Sequence, residues 1–298
     1  MNNFGLIGAS GYIAPRHMAA IKNNGCNLIL ATDPNDSVGV IDSYFLKSKF
    51  FKEIERFEEH IHLRRGTKEQ VDAISICSPN YLHTPHIMLG LRNSCDIICE
   101  KPIVLSTDEI WNIKKAESEF SKKVNCILQL RLHNSVLDLK KNIDTKKTYD
   151  VNLEYITSRG NWYQESWKGD PNKSGGVAMN IGIHFFDILI YLFGSVINFN
   201  NTIDGKNTMA GFIKLERANV FWKLSTDYNE LPEDVKKSGS RVHRVLKIED
   251  KLFDFSKGFT DLHDKSYSMI LNNKGFSLDD CLESIDLVEK INNHRRNK

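Results

Sequence analysis

Two short stretches of this chain carry the groups best suited to moving a proton: Glu100-Lys101-Pro102, and the residues Asn180, His184 and Asp187. Burial at a strand end disfavours the charged form of a lysine and moves it toward the roughly 7–8 that a general base needs. Pro102 fixes one backbone torsion and restricts Lys101 to extended geometry, which aims the side chain. A solvated lysine at a strand end is the plainer alternative for that segment alone. Asn180, His184 and Asp187 recur at i, i+4 and i+7, on one face of a helix otherwise apolar nearly all round. Polar groups on a buried helix need partners or a ligand. A core histidine bonded to Asp187 would also satisfy His184. Arg131, Arg159 and Lys168, taken with Lys101, would line a crevice with positive charge and suit an anionic substrate. Each of them is equally compatible with a solvated surface charge.

The elements that must position these groups can be read from periodicity. Ile97, Ile98 and Cys99 form a short apolar strand that delivers Lys101 at its carboxyl end, where ligands bind in open α/β sheets. The chain begins with a strand at Phe4-Gly5-Leu6-Ile7, a tight turn at Gly8-Ala9-Ser10-Gly11 and a helix over 12–22. That order presents backbone N–H groups and a helix N-terminus to a pyrophosphate. The glycine spacing, Gly8, Gly11 and then Ala14, is one residue longer than the strict fingerprint. A second strand over 28–32 ends at Asp33, placed to accept a hydrogen bond from an adenosine ribose hydroxyl. Pro34, Asn35 and Asp36 follow with no cation for a 2′-phosphate, so the cofactor expected is NAD rather than NADP. A turn-capping role is the alternative for Asp33.

The unit then repeats, with a helix over 57–64, a strand over 71–77 and a helix to about residue 92. Between these last two, Pro79 and Pro85 shape the loop Ser78-Pro79-Asn80-Tyr81-Leu82-His83, which puts His83 toward the nicotinamide end or makes it a structural cap. A helix over 106–120, capped by Ser106 with Glu109 three residues on, precedes a strand over 124–130. Such alternation predicts a parallel, doubly wound sheet. From about residue 149 strands follow one another (150–158, 196–199, 209–215, 219–226, 242–249 and 252–255), which predicts an antiparallel sheet in a second domain. One helix over 177–193, stopped by Gly194, interrupts it, and helices over 260–271 and 277–293 close the chain. The expected division is 1–122 for an NAD-binding Rossmann domain and 123–298 for an α+β domain that binds substrate and mediates oligomerisation. The connection after Arg159, with Trp162, Tyr163, Trp167 and Lys168, is too long and aromatic for a plain hairpin, as functional connections are.

Bulk properties exclude several classes. With 298 residues, 41% hydrophobic and 26% charged, the chain is an ordinary globular protein of one large or two moderate domains. A net charge of +2 gives no reason to expect nucleic acid or a membrane surface as partner. The N-terminus shows no basic region or cleavage site, and the six scattered cysteines read as reduced thiols, so a cytoplasmic, metal-free protein is expected.

In order along the chain, Ser78-Pro79-Asn80-x-x-His83, Glu100-Lys101-Pro102 and Gly175-Gly176…Gly182-x-His184…Asp187 resemble the signature of the Gfo/Idh/MocA oxidoreductases. Four further stretches narrow the resemblance to members that oxidise UDP-N-acetylglucosaminuronic acid in bacterial surface-polysaccharide pathways. They are 8–17, Leu128-Gln129-Leu130-Arg131-Leu132-His133, Ser166-Trp167-Lys168-Gly169 and Gly258-Phe259-Thr260-Asp261-Leu262-His263. The resemblance implies a Rossmann domain plus an open-faced antiparallel sheet, bound NAD, a UDP-sugar substrate and a homotetramer packed through those sheets. It implies cofactor contacts from Gly8, Ser10, Gly11, Tyr12, Ile13 and Asp33, and from Ser78, Asn80, His83, Glu100, Lys101 and Gln129. Substrate contacts are implied for Lys101, Arg131, Arg159, Tyr163, Trp167, Lys168, Asn180 and His184, with catalysis by Lys101 and His184. Many family members place an Asp where this chain has Asn180; an amide does not exchange a proton at neutral pH, so Asn180 can only position. A same-family enzyme for another sugar or inositol, and an NAD-binding redox sensor without turnover, are the alternatives.

Overall fold

The computed structural model describes residues 2–254 and 261–296. The chain opens with β1 (Asn3–Ile7), α1 (Ala14–Asn23), β2 (Asn27–Thr32), β3 (Lys49–Phe51), α2 (Ile54–Leu63) and β4 (Ala73–Ile76). It continues through α3 (His83–Arg92), β5 (Asp96–Cys99), α4 (Thr107–Phe120), β6 (Val124–Cys126) and α5 (Asn134–Asn142). Then come β7 (Tyr149–Thr157), the short α6 (Asn161–Glu165) and α7 (Pro171–Ser174), and α8 (Ile183–Phe193). Strands β8 (Val196–Asp204), β9 (Thr208–Leu215) and β10 (Ala218–Ser225) lead to α9 (Glu233–Lys237). The last elements are β11 (Val242–Ile248), β12 (Lys251–Asp254), α10 (Leu262–Leu271) and α11 (Leu278–Arg296).

These elements form two compact units; the described residues of the first are 2–104, 108–129 and 261–281, those of the second 105–107, 130–254 and 282–296. A linear reading with one boundary after residue 122 did not include the return of α10 to the first unit. Side-chain bonds hold it there: Asn23 on α1 donates to Asp264 at 2.8 Å. Part of the motif around Gly258, residues 258–260, lies outside the described residues.

The sheet of the first unit runs β3-β2-β1-β4-β5-β6 with every pair parallel. Its central strands are buried on both faces, as Phe4, Leu6, Ile74, Ile76 and Ile97 show, which is why they read as continuous apolar runs. The strand expected over 124–130 stops at Cys126, and Gln129–Leu132 form a 3₁₀ turn instead.

The second sheet runs β12-β11-β7-β10-β9-β8. It is mixed rather than wholly antiparallel, because β7 and β10 pair in parallel from Tyr149↔Ala218 to Ile156↔Ser225. Parallel neighbours need a long crossover, and the segment carrying α6–α8 and the β8–β9 hairpin supplies it. Helix α8 packs on one face through Phe185 against Tyr155 (5.2 Å between ring centroids) and Phe186 against Trp222 (5.3 Å). Ile197, Ile203 and Phe221 of the strands remain exposed. The helical run Pro171–Phe193 is long and apolar enough to cross a bilayer by length and composition, but its 18-residue apolar window is 72% buried inside the protein.

Candidate active site

The glycine turn of the first unit is sterically specified. Gly8 has φ +90°, and a Cβ there would lie 2.7 Å from the backbone carbon of Cys77 and the nitrogen of Ser78. Only glycine fits where the first turn crosses so close to the end of β4. The Gly8 N–H donates to the carbonyl of Thr32, and the Ser10 N–H donates to the Asp33 carboxylate at 3.0 Å. Asp33 also accepts from the Asn35 N–H at 2.8 Å, so one buried carboxylate braces both turns. Two such oxygens hold about four lone pairs, which leaves acceptor capacity for a ribose hydroxyl. Tyr12 is 90% exposed and Ile13 caps α1, with Pro15 in the first helical turn.

The loop after β4 is tied down by histidines. His83 is buried, with Nδ1 at 2.7 Å from the Pro102 carbonyl and Nε2 at 2.9 Å from that of Ser78. It straps this loop to the Lys101–Pro102 segment, whose peptide is cis. His86, which sequence reasoning missed, meets Ser78 Oγ through its Nδ1 at 2.8 Å, and burial pushes it down to about 4. A neutral imidazole can therefore accept from the serine hydroxyl. Asn80 is buried in the same loop. Lys101 is half-buried where β5 ends, as the strand pattern predicts. Glu100 is buried, and its carboxylate accepts from the Lys101 N–H at 3.2 Å.

The buried Gln129 Oε1 has no hydrogen-bond partner among the described residues. Burying an unpaired acceptor is costly, so the position fits a residue completed by a ligand donor. With the Gly8 turn and Asp33, this orphaned oxygen makes the first unit suited to a dinucleotide.

In the second unit, Asn180 lies in a π-helical turn, Ala178–Gly182, that runs into α8. Gly175, at φ +78°, ends α7 in the left-handed conformation just before it. The Asn180 amide donates to Tyr163 Oη at 2.6 Å, and Tyr163 is itself buried. Arg159 stands 5.9 Å from the Tyr163 ring, while Lys168 lies 4.4 Å from that of Trp167 and 5.9 Å from that of Trp162. Burial and then the charge of Arg159 push the half-buried Lys168 ammonium down. The structure thus brings together Arg159, Trp162, Tyr163, Trp167, Lys168 and Asn180. His184, half-buried, opens α8 one turn beyond Asn180.

Arg131 is committed differently. It grips both oxygens of Asp187, Nε to Oδ2 at 2.9 Å and a terminal nitrogen to Oδ1 at 2.7 Å, and stacks 4.9 Å from Tyr191. Both partners are buried, so this bidentate pair is a structural tie between the Gln129–Leu132 turn and α8. The spacing that places Asp187 one turn beyond His184 does not reveal this partner.

Residues 2–127 match the model of an oxidoreductase family with an NAD-binding Rossmann fold, and 140–210 match its C-terminal alpha/beta domain. The WlbA (WbpB) dehydrogenase of Thermus thermophilus, solved with NAD and alpha-ketoglutarate, is 43% identical, with 98% of this chain and 95% of that one covered and a TM-score of 0.95. This chain belongs to the Gfo/Idh/MocA oxidoreductases. The same Thermus enzyme with NAD and UDP-GlcNAcA superposes at TM-score 0.94 with 42% identity, 98% of this chain and 95% of that one covered. Among curated relatives, glucose-6-phosphate 3-dehydrogenase of Bacillus subtilis is 26% identical over 65% of this chain. That match spans about half, 55%, of the relative's own length. As a Gfo/Idh/MocA protein, the chain carries an NAD-binding Rossmann domain in its first unit and a mixed-sheet domain in its second.

Proposed function

We propose that this protein is an NAD-dependent dehydrogenase that oxidises the C3 hydroxyl of UDP-N-acetylglucosaminuronic acid to a ketone. The reading is carried by one observation: 42% identity along 98% of the chain to a dehydrogenase solved with NAD and UDP-GlcNAcA. NAD would be held by the Gly8–Ile13 turn, Asp33 and Gln129, and supplies the hydride acceptor. Lys101 takes the hydroxyl proton, and His184 orients the reacting hydroxyl. Asn180, held by Tyr163, positions the sugar. Arg159 and Lys168 are the cations for the carboxylate and pyrophosphate, each charge-assisted bond contributing roughly 1.5–3 kcal/mol. The same relative's complex with alpha-ketoglutarate supports a 2-oxo acid as the acceptor that returns NADH to NAD.

The same reading makes the protein a cytoplasmic homotetramer serving surface-polysaccharide synthesis, with the exposed Ile197, Ile203 and Phe221 face as the packing surface. The test is incubation with NAD and a panel of UDP-sugars, inositol and free aldoses, with and without 2-oxoglutarate, followed by mass spectrometry. A UDP-sugar product lighter by two hydrogens is expected only from the glucosaminuronic acid. Turnover of inositol or an aldose in its place would overturn the assignment.

A further inference from the structure

His17, Ser75, Glu100, His263 and Tyr267 form a buried chain of polar side chains to which the proposed reaction assigns no step. Glu100 Oε1 lies 3.0 Å from His17 Nε2 and 2.9 Å from His263 Nε2, and Oε2 takes the Lys101 N–H. His17 Nδ1 is 2.7 Å from Tyr267 Oη, which is 2.6 Å from Ser75 Oγ. Residues far apart in the chain are thus gathered on one carboxylate, beside the lysine.

Proton accounting leaves one arrangement. Burial by itself would raise the Glu100 carboxyl, but the bonds from His17 and His263 outweigh it and hold it well below the usual range. Burial also pushes His17 down, toward the neutral ring. An ionised carboxylate only accepts, so both Nε2 atoms carry protons. Neutral His17 then has a bare Nδ1; Tyr267 donates to it, and Ser75 donates to Tyr267. Ser75 is fully buried, so the chain does not reach bulk water through that end. Glu100, His17 and His263 have ligand-type atoms within 4.8 Å of one another, yet this arrangement fills the space between them with N–H bonds rather than lone pairs.

We propose that Glu100 is a fixed buried anion that positions Lys101, clamped by His17 and His263. This rests on the reading of Lys101 as the base. One oxygen fixes the backbone where β5 releases the lysine, and the charge, one residue away, favours the ammonium form. The titratable groups facing Glu100 are His17 from α1, His263 and Tyr267 from α10, Cys77 and His83 after β4, and Cys99 on β5, while Lys101 meets it through its backbone N–H.

Glu100→Gln is the discriminating variant, because an amide has one acceptor oxygen and cannot serve both the histidines and the Lys101 N–H. Lys101 is labelled with a neutral acylating reagent across a pH series with NAD present, and its peptide is quantified by mass spectrometry. The expected result is a labelling profile displaced to lower pH by about half a unit or more, since a nearby opposite charge has gone. At saturating NAD, kcat should fall about tenfold or more, the scale on which lost positioning is felt. An undisplaced profile, or a rate raised equally at every pH, overturns the proposal. If Glu100→Gln does not fold, His263→Leu should displace the profile and His263→Gln, which keeps a side-chain N–H, should not; identical profiles overturn it. One equivalent of tightly bound zinc in the purified protein would also overturn it. The labelling needs no sugar, so absence of turnover on UDP-N-acetylglucosaminuronic acid would count against the proposed function and leave this result standing.

Discussion

The two units place their polar groups in opposite ways. In the first, Glu100, His17, His263, Tyr267 and His83 are buried, and each polar atom described for them has a partner inside the fold. In the second, Arg159 is exposed, Lys168 is half-buried, and among the described residues neither pairs with a carboxylate. They lie instead near aromatic rings. A buried network that is fully satisfied rigidifies what it holds, whereas cations without internal partners keep their charge for a ligand. The two units thus differ in kind: these buried groups of the first are satisfied within the fold, and the two cations of the second are not paired with a carboxylate among the described residues.

The sharpest way to break this comparison is Lys101→Met, which keeps most of the side-chain volume and removes the amine. The hydride step should slow by ~10²–10⁴, the usual worth of general-base catalysis, while NAD binding persists. Stopped-flow absorbance of nicotinamide reduction beside equilibrium NAD titration separates the two; loss of NAD binding with the hydride step would show that the lysine serves the cofactor. A smaller effect belongs to the second unit. Lys168→Ala should raise KM for the nucleotide sugar about tenfold with kcat little changed, as for a contact made equally in ground and transition states. Steady-state kinetics showing an unchanged KM would remove Lys168 from the substrate site.

Asp33→Ala sharpens the comparison from the cofactor side. The unaltered protein should bind NAD far better than NADP, and the variant should lose much of that preference, measured by competitive titration. Comparable NADP affinity without the substitution would remove Asp33 from cofactor selection. The smallest effect is on stability. His86 is held down to about 4 by burial, below its unfolded value of about 6.5. The folded state therefore binds fewer protons, so this stabilisation is complete above pH ~6.5 and is lost as the pH falls toward 4. Tm should drop by a few degrees across that window, and His86→Gln should flatten the drop; an equal drop in both proteins would place the acid-sensitive group elsewhere.

The parallel sheet was legible because its strands are apolar on both faces and alternate with helices. What the pattern missed is instructive. β3 is three residues long with no side chain fully buried, so it left no hydrophobic run to read. The π-helical turn at Ala178–Gly182 looked like ordinary helix, since apolar residues fill it either way. Lys101, Asn180 and the Trp167-Lys168 pair could be singled out because their spacing is local. The clamp on Glu100 could not: His17 and His263 stand 83 and 163 positions away, and only the folded chain brings them to one oxygen. Arg131 and Asp187, 56 positions apart, are joined in the same way, a pairing that no local spacing announces.

The most direct measurement uses UDP-N-acetylglucosaminuronic acid carrying deuterium at C3, mixed with enzyme and NAD in a single turnover. Oxidation at C3 predicts that the deuterium appears on the reduced nicotinamide and that the hydride step slows relative to unlabelled sugar. Reduced cofactor without deuterium, with the label kept in the sugar, would contradict it.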